Sequence, residues 1–446
     1  MFVICYLFVV YALICYIKQK KGDCLFWLFA SSTGLGFIDT STAPVKTSDF
    51  LIVATIIILG SEYAKNPKFF RLKGDGIGRA LIIFISFTIL VMIGTIVVGS
   101  DTPNFAFRCG RWSITYLLYF YVRTFTFKDL NRFLDLMLVG CVISGIAFYL
   151  QPLGIDLLQG RVDEAMSRDE QTRYANTPEF ANLFFMQYLV KQNISKGKKV
   201  FMLCFFGFMF VLSMWRGAII MIAVMSAVYL LYNGSKKSII YLAVSAGVYF
   251  AVIAPMFEYR DNQSGGEMST FEEIKLVLSR PADILNIYET EGGGNYMFRV
   301  AMFAERIIYI LNNPKYIPFG VGTIHEDSPN QKHIFALGTQ NENNQYGKEM
   351  LHSVDVELVT IICLYGFIGL VLYILFFYKW VKCSLPLLKC SKEPVVIMSA
   401  LASIGFTISM FNGAFFTTGS GISQIFIVSV TSFAFKEYKG SLAMVK

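Results

Sequence analysis

Apolar runs follow one another along almost the whole chain, at 1–17, 24–38, 50–63, 79–98, 110–122, 133–150, 180–190, 200–214, 217–232, 238–255, 353–378, 394–412 and 417–435. A helix needs roughly 17–25 residues to cross a bilayer, and most of the runs approach that length. Strands of a barrel would alternate apolar and polar residues within each run; these do not, so the elements are helices. The pattern predicts an all-α, polytopic integral membrane protein with about 13 transmembrane helices (12–14). The runs at 110–122 and 180–190 are short for a crossing and read as tilted or re-entrant pieces lining a cavity. Residues 1–17 carry no charge and no small-residue cleavage site, so they read as a retained helix with its N-terminus outside.

One stretch breaks the rhythm. Residues 256–350 are polar and far too long for an ordinary connection between spans. The chain therefore divides into helices over 1–255, a partly helical loop domain over 256–350, and helices with a tail over 351–446. Within the loop, 271–279 reads as a short amphipathic helix stopped before Pro281. Glu291-Gly292-Gly293-Gly294 is a breaker, after which Asn295 caps a helix running to Asn312-Asn313, where Pro314 ends it. Arg299 and Arg306 are seven apart and share a face of that helix, with Phe303 between them. The segment 323–350 is rich in Asn, Gln and Gly and is expected to be mobile.

Charge sets the orientation. With the N-terminus outside and the C-terminus inside, the inner connections are 18–23, 64–79, 123–132, 191–199, 233–238, 379–393 and the tail from Lys436. They hold most of the 39 Lys and Arg, the positive-inside bias, which puts the large loop on the outer face. The net charge of +8 is thus a topology signal, and no basic patch interleaved with exposed aromatics points to nucleic acid. A chain 55% hydrophobic and only 16% charged is not a soluble globular domain. None of the nine cysteines falls in the large loop, so neither a disulfide framework nor a Cys metal site is supported. No internal repeat appears.

Four places carry candidate chemistry. Arg216 lies between two apolar runs, where a charge is costly and tends to be functional; a snorkelling Arg reaching lipid phosphate is the alternative. Arg299, beside Tyr296, reads either as a ligand or as a solvated helix face. Arg173-Tyr174-Ala175-Asn176-Thr177-Pro178-Glu179 precedes a span, and its plainer reading is a helix start with Thr177 as cap and Pro178 in first position. Finally, His352 and Asp355 are three apart at the head of a span that also carries Glu357, so Asp355 would orient or charge the imidazole. His325, His333 and His352 lack metal-like spacing.

In that order, these signals resemble the bacterial O-antigen polymerase and O-antigen ligase superfamily. Arg173 through Ala181 is similar to its Arg…Asn-Pro-Asn…Ala segment, and Trp215-Arg216-Gly217-Ala218 to its Ser-Arg-Gly-Ala. Arg299 precedes Pro318-Phe319-Gly320-Val321-Gly322 as the family's loop Arg precedes Phe-Gly-Val-Gly. His352 followed by Gly366 and Gly369 resembles His-Asn…Gly-x-x-Gly. Trp215, Ser353 and Glu179 depart from the usual Ser, Asn and second Asn.

The resemblance implies a metal-independent glycosyltransferase with no cofactor, in the bacterial cytoplasmic membrane. It would join undecaprenyl-pyrophosphate-linked oligosaccharides, donor and acceptor both, with membrane lipids and a chain-length regulator protein as further partners. Arginine forks bind phosphate oxygens bidentately, which suits a pyrophosphate leaving group. Arg216 and Arg299 are the expected clamp, with Arg173 secondary. His352 is the expected base, oriented by Asp355. Arg306, Arg111, Asn176, Tyr296 and Glu357 are additional candidates. The runner-up is the ligase that moves finished glycan onto lipid A-core or protein. A transporter would want inverted repeats and ionisable groups near the bilayer midplane; here the spans are poor in charge.

Overall fold

The computed structural model describes residues 3–38, 47–155, 157–158, 177–191, 193–213, 216–233, 270–280, 283–291, 295–333, 335–337, 351–352, 356–410, 416 and 421–445. Among them the chain is helical, with no strand. The helices before the large loop are α1 (Val3–Ile17), α2 (Lys21–Thr33), α3 (Thr47–Lys65), α4 (Gly76–Val98), α5 (Pro103–Gly110), α6 (Trp112–Thr115), α7 (Tyr119–Val122), α8 (Phe127–Leu150), α9 (Ala181–Val190), α10 (Lys196–Ser213) and α11 (Arg216–Asn233). The loop contributes α12 (Thr270–Ser279), α13 (Ile284–Glu291) and α14 (Asn295–Asn312). The chain then forms α15 (Glu357–Cys390), α16 (Pro394–Ser409) and α17 (Gly421–Val445).

Among the described residues α3, α4, α8 and α15 are long and apolar enough to cross a membrane. The expected class therefore holds in its coarser form, while a count of thirteen full crossings does not emerge. Several apolar runs build shorter helices instead, α1, α9 and α16 among them, and the run 238–255 lies outside the described residues. The 110–122 run is helix broken by a 3-10 turn at Tyr116–Leu118. Its Tyr116, Leu118, Tyr119 and Tyr121 are fully buried, so it fills the interior rather than facing lipid. A second expectation is corrected at 177–180. The helix starts at Ala181, because Phe180 takes a left-handed conformation (φ 73°) that cannot continue a right-handed helix back through Pro178.

α4 is the reference for position along the bundle. It is capped by Asp75, whose side chain accepts the Gly78 N–H at 2.7 Å, and it ends at left-handed Gly99. Segment 103–122 runs antiparallel to it: Gly110 abuts Met92, Ser113 Oγ lies 2.9 Å from Thr88 Oγ1, and Tyr119 OH donates to Asp75. At the Asp75 end, the connections expected to share one side do meet. Lys21 Nζ donates to Thr124 O at 2.9 Å, Arg123 to Phe69 O at 2.9 Å, and Arg132 pairs with Asp23 at 2.9 Å. The large loop meets the other end of α4.

α15 is two helices, not one. Gly366 adopts φ 62°, ψ −162°, a region essentially restricted to glycine, and the chain turns back there. Tyr373 OH donates to Glu357 at 2.7 Å although the two are 16 residues apart. In a straight helix that separation would span about 24 Å. Residues 357–365 therefore climb from the depth of Tyr373 back toward Gly366, and 367–390 descend beside α4, where Tyr373 meets Phe84.

Candidate functional site

The site begins where two glycine-bearing segments dock. Val321 N–H donates to Cys363 O at 2.8 Å and Phe367 N–H to Ile317 O at 2.8 Å, so the Pro318–Gly322 stretch is bonded to the turn of α15. A Cβ on Gly320 would overlap the backbone of Cys363 and Leu364, and one on Gly366 would overlap Gly320 N and Ile317 O. Both glycines have positive φ. Here glycine is required twice, for conformation and for backbone approach. Gly322, at φ 94°, lets the chain pass Thr95, whose hydroxyl accepts the Thr323 N–H at 2.9 Å.

The chain then makes a tight turn over the C-terminal end of α4 and over α5. Asp101, 2% exposed, accepts the His325 N–H at 3.1 Å and the Ser328 hydroxyl. Glu326 is buried beneath it, and one carboxylate oxygen accepts two successive backbone N–H groups, those of Leu351 and of His352 (2.8 Å). Held so, the His352 ring contacts Ile324 O through Nε2 at 3.2 Å and Cys109 Sγ at 3.5 Å. A carbonyl oxygen only accepts, so Nε2 carries the proton and Nδ1 the lone pair.

His325 is the companion ring, 6.3 Å from His352 between centroids. Its Nδ1 accepts the Asp327 N–H at 3.1 Å, which makes it a neutral imidazole with its proton on Nε2. Burial first, and then the Arg108 charge, push its pKa down to about 4. Arg108 and Asp327, both partly exposed and 3.5 Å apart, form the rim. His333 is held elsewhere, 2.6 Å from Tyr309 OH, and burial lowers its pKa as well. Among the described residues no group of three or more His, Cys, Asp or Glu is arranged to hold a metal.

The remaining expected residues are spread over several environments. Arg299 is half-buried in the first turns of α14, whose leading N–H groups, Tyr296 and Met297, are both accepted by Glu273 at 3.2 Å. Glu273, 2% exposed, thus anchors the helix that carries Arg299. Arg306 does not share that setting. It is 1% exposed, lies over the Phe335 ring at 4.3 Å, and donates to Glu305 at 2.6 Å and to Leu337 O. Arg111 pairs with Asp49 at 2.7 Å. Glu357 is fully buried, accepting from Tyr373 and from Phe416 N–H. Arg216 opens α11. Arg173, Asn176 and Asp355 lie outside the described residues. Glu179 accepts the Ser423 hydroxyl at 2.6 Å and lines a 230 Å³ cavity with Thr33, Ser144 and Pro178.

Sequence reasoning missed Glu326, Asp101, Glu273 and Cys109. Each bonds to partners more than twenty residues away along the chain, which no helical spacing reveals. The adjacency of Glu326 to His325 was the available signal. No protein-family model and no curated protein matches this chain.

Proposed function

We propose that the chain is a membrane glycosyltransferase that polymerises lipid-linked oligosaccharide repeat units at the outer face of the bacterial cytoplasmic membrane. The observation that carries this reading is His352, whose tautomer is set by Ile324 O and whose backbone is clamped by Glu326. A base so held suits proton abstraction from a sugar hydroxyl. In the proposed step, the acceptor hydroxyl oxygen bonds to the donor anomeric carbon as the bond from that carbon to the pyrophosphate oxygen breaks. The proton passes to His352 Nδ1, and the electron pair leaves with the pyrophosphate. Arg216 and Arg299, with Arg173, are proposed to neutralise that charge, since arginine forks need no metal to do so.

Two of the four ordered sequence signals also have physical counterparts. The Phe-Gly-Val-Gly stretch and Gly366 dock on one another, and the turn that follows the stretch, with Ile324 and Glu326, holds the imidazole. The test is product analysis in cells lacking the gene and complemented with the wild-type or His352→Ala chain. Surface polysaccharide capped at a single repeat in the variant supports a polymerase. Long unattached glycan instead identifies a ligase, and unaltered polymer overturns the assignment of His352.

A further inference from the structure

The large loop was expected to lie wholly outside the membrane, yet its contacts lie well down the length of α4. The Phe319 ring stacks on Phe87 with centroids 6.1 Å apart, while Thr323 N–H bonds to Thr95. Phe87 is eleven residues below Val98, the last residue of α4, or about 16 Å along the axis. That is near the middle of a hydrocarbon core roughly 30 Å thick. Between Phe319 and Thr323 the chain climbs back up by about 12 Å.

Non-helical backbone survives at that depth only if its polar groups are satisfied by protein. Most of the N–H groups here are: Tyr316, Ile317 and Gly320 N–H bond to Asn313, Pro314 and Tyr316 carbonyls, Val321 N–H to Cys363 O, and Thr323 N–H to Thr95. Lys315, at the head of the segment, is exposed and long enough to carry its charge toward the headgroups; beyond it the outward side chains are apolar. Phe319 is 53% exposed, as are Ile308 (47%) and Leu311 (50%) on the face of α14 opposite buried Arg306 and Ile310. Phe319 also continues a stripe of α4, namely Ile83, Leu90 and Val97, exposed along one side of a helix apolar enough to cross the membrane.

We propose that residues 314–322 form a re-entrant segment seated in the outer leaflet, with Phe319, Ile308 and Leu311 in contact with lipid acyl chains. The occupant is lipid rather than a protein partner because the surface is continuous with the lipid-facing stripe of α4. The inference rests on α4 crossing the membrane, not on the proposed chemistry. It brings lipid to within a few residues of the turn that clamps His352, so a lipid-linked sugar would reach that turn sideways from the bilayer.

The experiment replaces the exposed Cys204 and Cys390 with serine and introduces Phe319→Cys, Leu311→Cys, Leu90→Cys or Asp327→Cys singly, each nitroxide-labelled in phosphatidylcholine–phosphatidylglycerol nanodiscs. Relaxation by oxygen against a water-soluble nickel complex reads depth. The expected result is that labels at 319 and 311 give oxygen-to-nickel ratios several-fold above that at 327, with 319 close to 90. Labels at 319 and 311 as nickel-accessible as 327 would overturn the proposal. Leu311 projects outward, so its variant keeps the test intact if Phe319→Cys fails to fold. A water-accessible label at 90 would instead overturn the placement of α4, and the proposal with it.

Discussion

Gly320 and Gly366 meet backbone to backbone, each in a left-handed conformation, and neither has room for a methyl group facing the other. This contact joins the large loop to the turn of α15, and so fixes where the Thr323–Ser328 turn sits over α5. Backbone docking places the turn, and the Glu326 carboxylate on that turn positions the candidate base.

Gly366→Ala is accordingly expected to be among the most disruptive single-methyl changes in the chain. The strained backbone alone costs about 1–3 kcal/mol, and overlap with Ile317 O and Gly320 N adds to it. Gly94, in the middle of α4, has nothing within 4 Å of its Cβ position, so Gly94→Ala should be neutral or stabilising. Thermal stability in detergent compares the two.

Glu326 gives a second prediction. Glutamine keeps a carbonyl oxygen able to accept both N–H groups, whereas alanine leaves the Leu351 and His352 amides unmatched. Glu326→Gln should retain most of the turnover per folded molecule. Glu326→Ala should lose about tenfold or more in kcat with little change in KM, since a misplaced base slows chemistry and not donor binding. Wild-type kcat in Glu326→Ala would remove the positioning role.

Acid should loosen this end of the molecule first. His325 has its pKa lowered from 6.5 to about 4, and His333 is lowered too. A histidine kept neutral in the fold binds more protons when the chain is unfolded. Its contribution is therefore complete above pH 6.5 and is lost as pH falls from there toward 4. Protection factors of the 323–333 amides, taken relative to intrinsic exchange at each pH, should fall between pH 7 and 5 in the wild type, and less so in His325→Gln.

Arg306 and Arg299 should separate by phenotype. Arg306 is buried and holds Leu337 O and Glu305, so Arg306→Ala should destabilise the loop by about 2–4 kcal/mol while leaving kcat of the folded fraction near wild type. Arg299→Lys keeps charge and loses the fork; if it contacts pyrophosphate, turnover falls about tenfold or more with stability unchanged. Urea titration and turnover on the same samples test both.

Much of the large loop could be read from the sequence. The helix Asn295–Asn312 follows from the breaker before it and the stop at Pro314, although Asn295 is its first helical residue and not the cap the spacing suggested, and α12 follows from its amphipathic pattern. The length of each crossing was less legible, because hydropathy marks burial in lipid and burial in protein alike. Tyr116 and Tyr119 belong to an apolar run that packs inside the bundle. Glu357 looked like an acid at the head of a span, since nothing in a run of helix formers announces that Gly366 will reverse it. Arg299 and Arg306 share a periodicity, yet only contact with Phe335 and Leu337, thirty residues on, decides that Arg306 turns inward.

The most direct test of the central claim is chemical rescue at position 352. Purified His352→Ala in nanodiscs, supplied with lipid-linked repeat unit, should turn over about 10²–10⁴ times more slowly than wild type. Added imidazole should restore part of that rate in the variant and leave the wild type unchanged. A His352→Ala chain that polymerises at the wild-type rate, with no response to imidazole, would contradict the account.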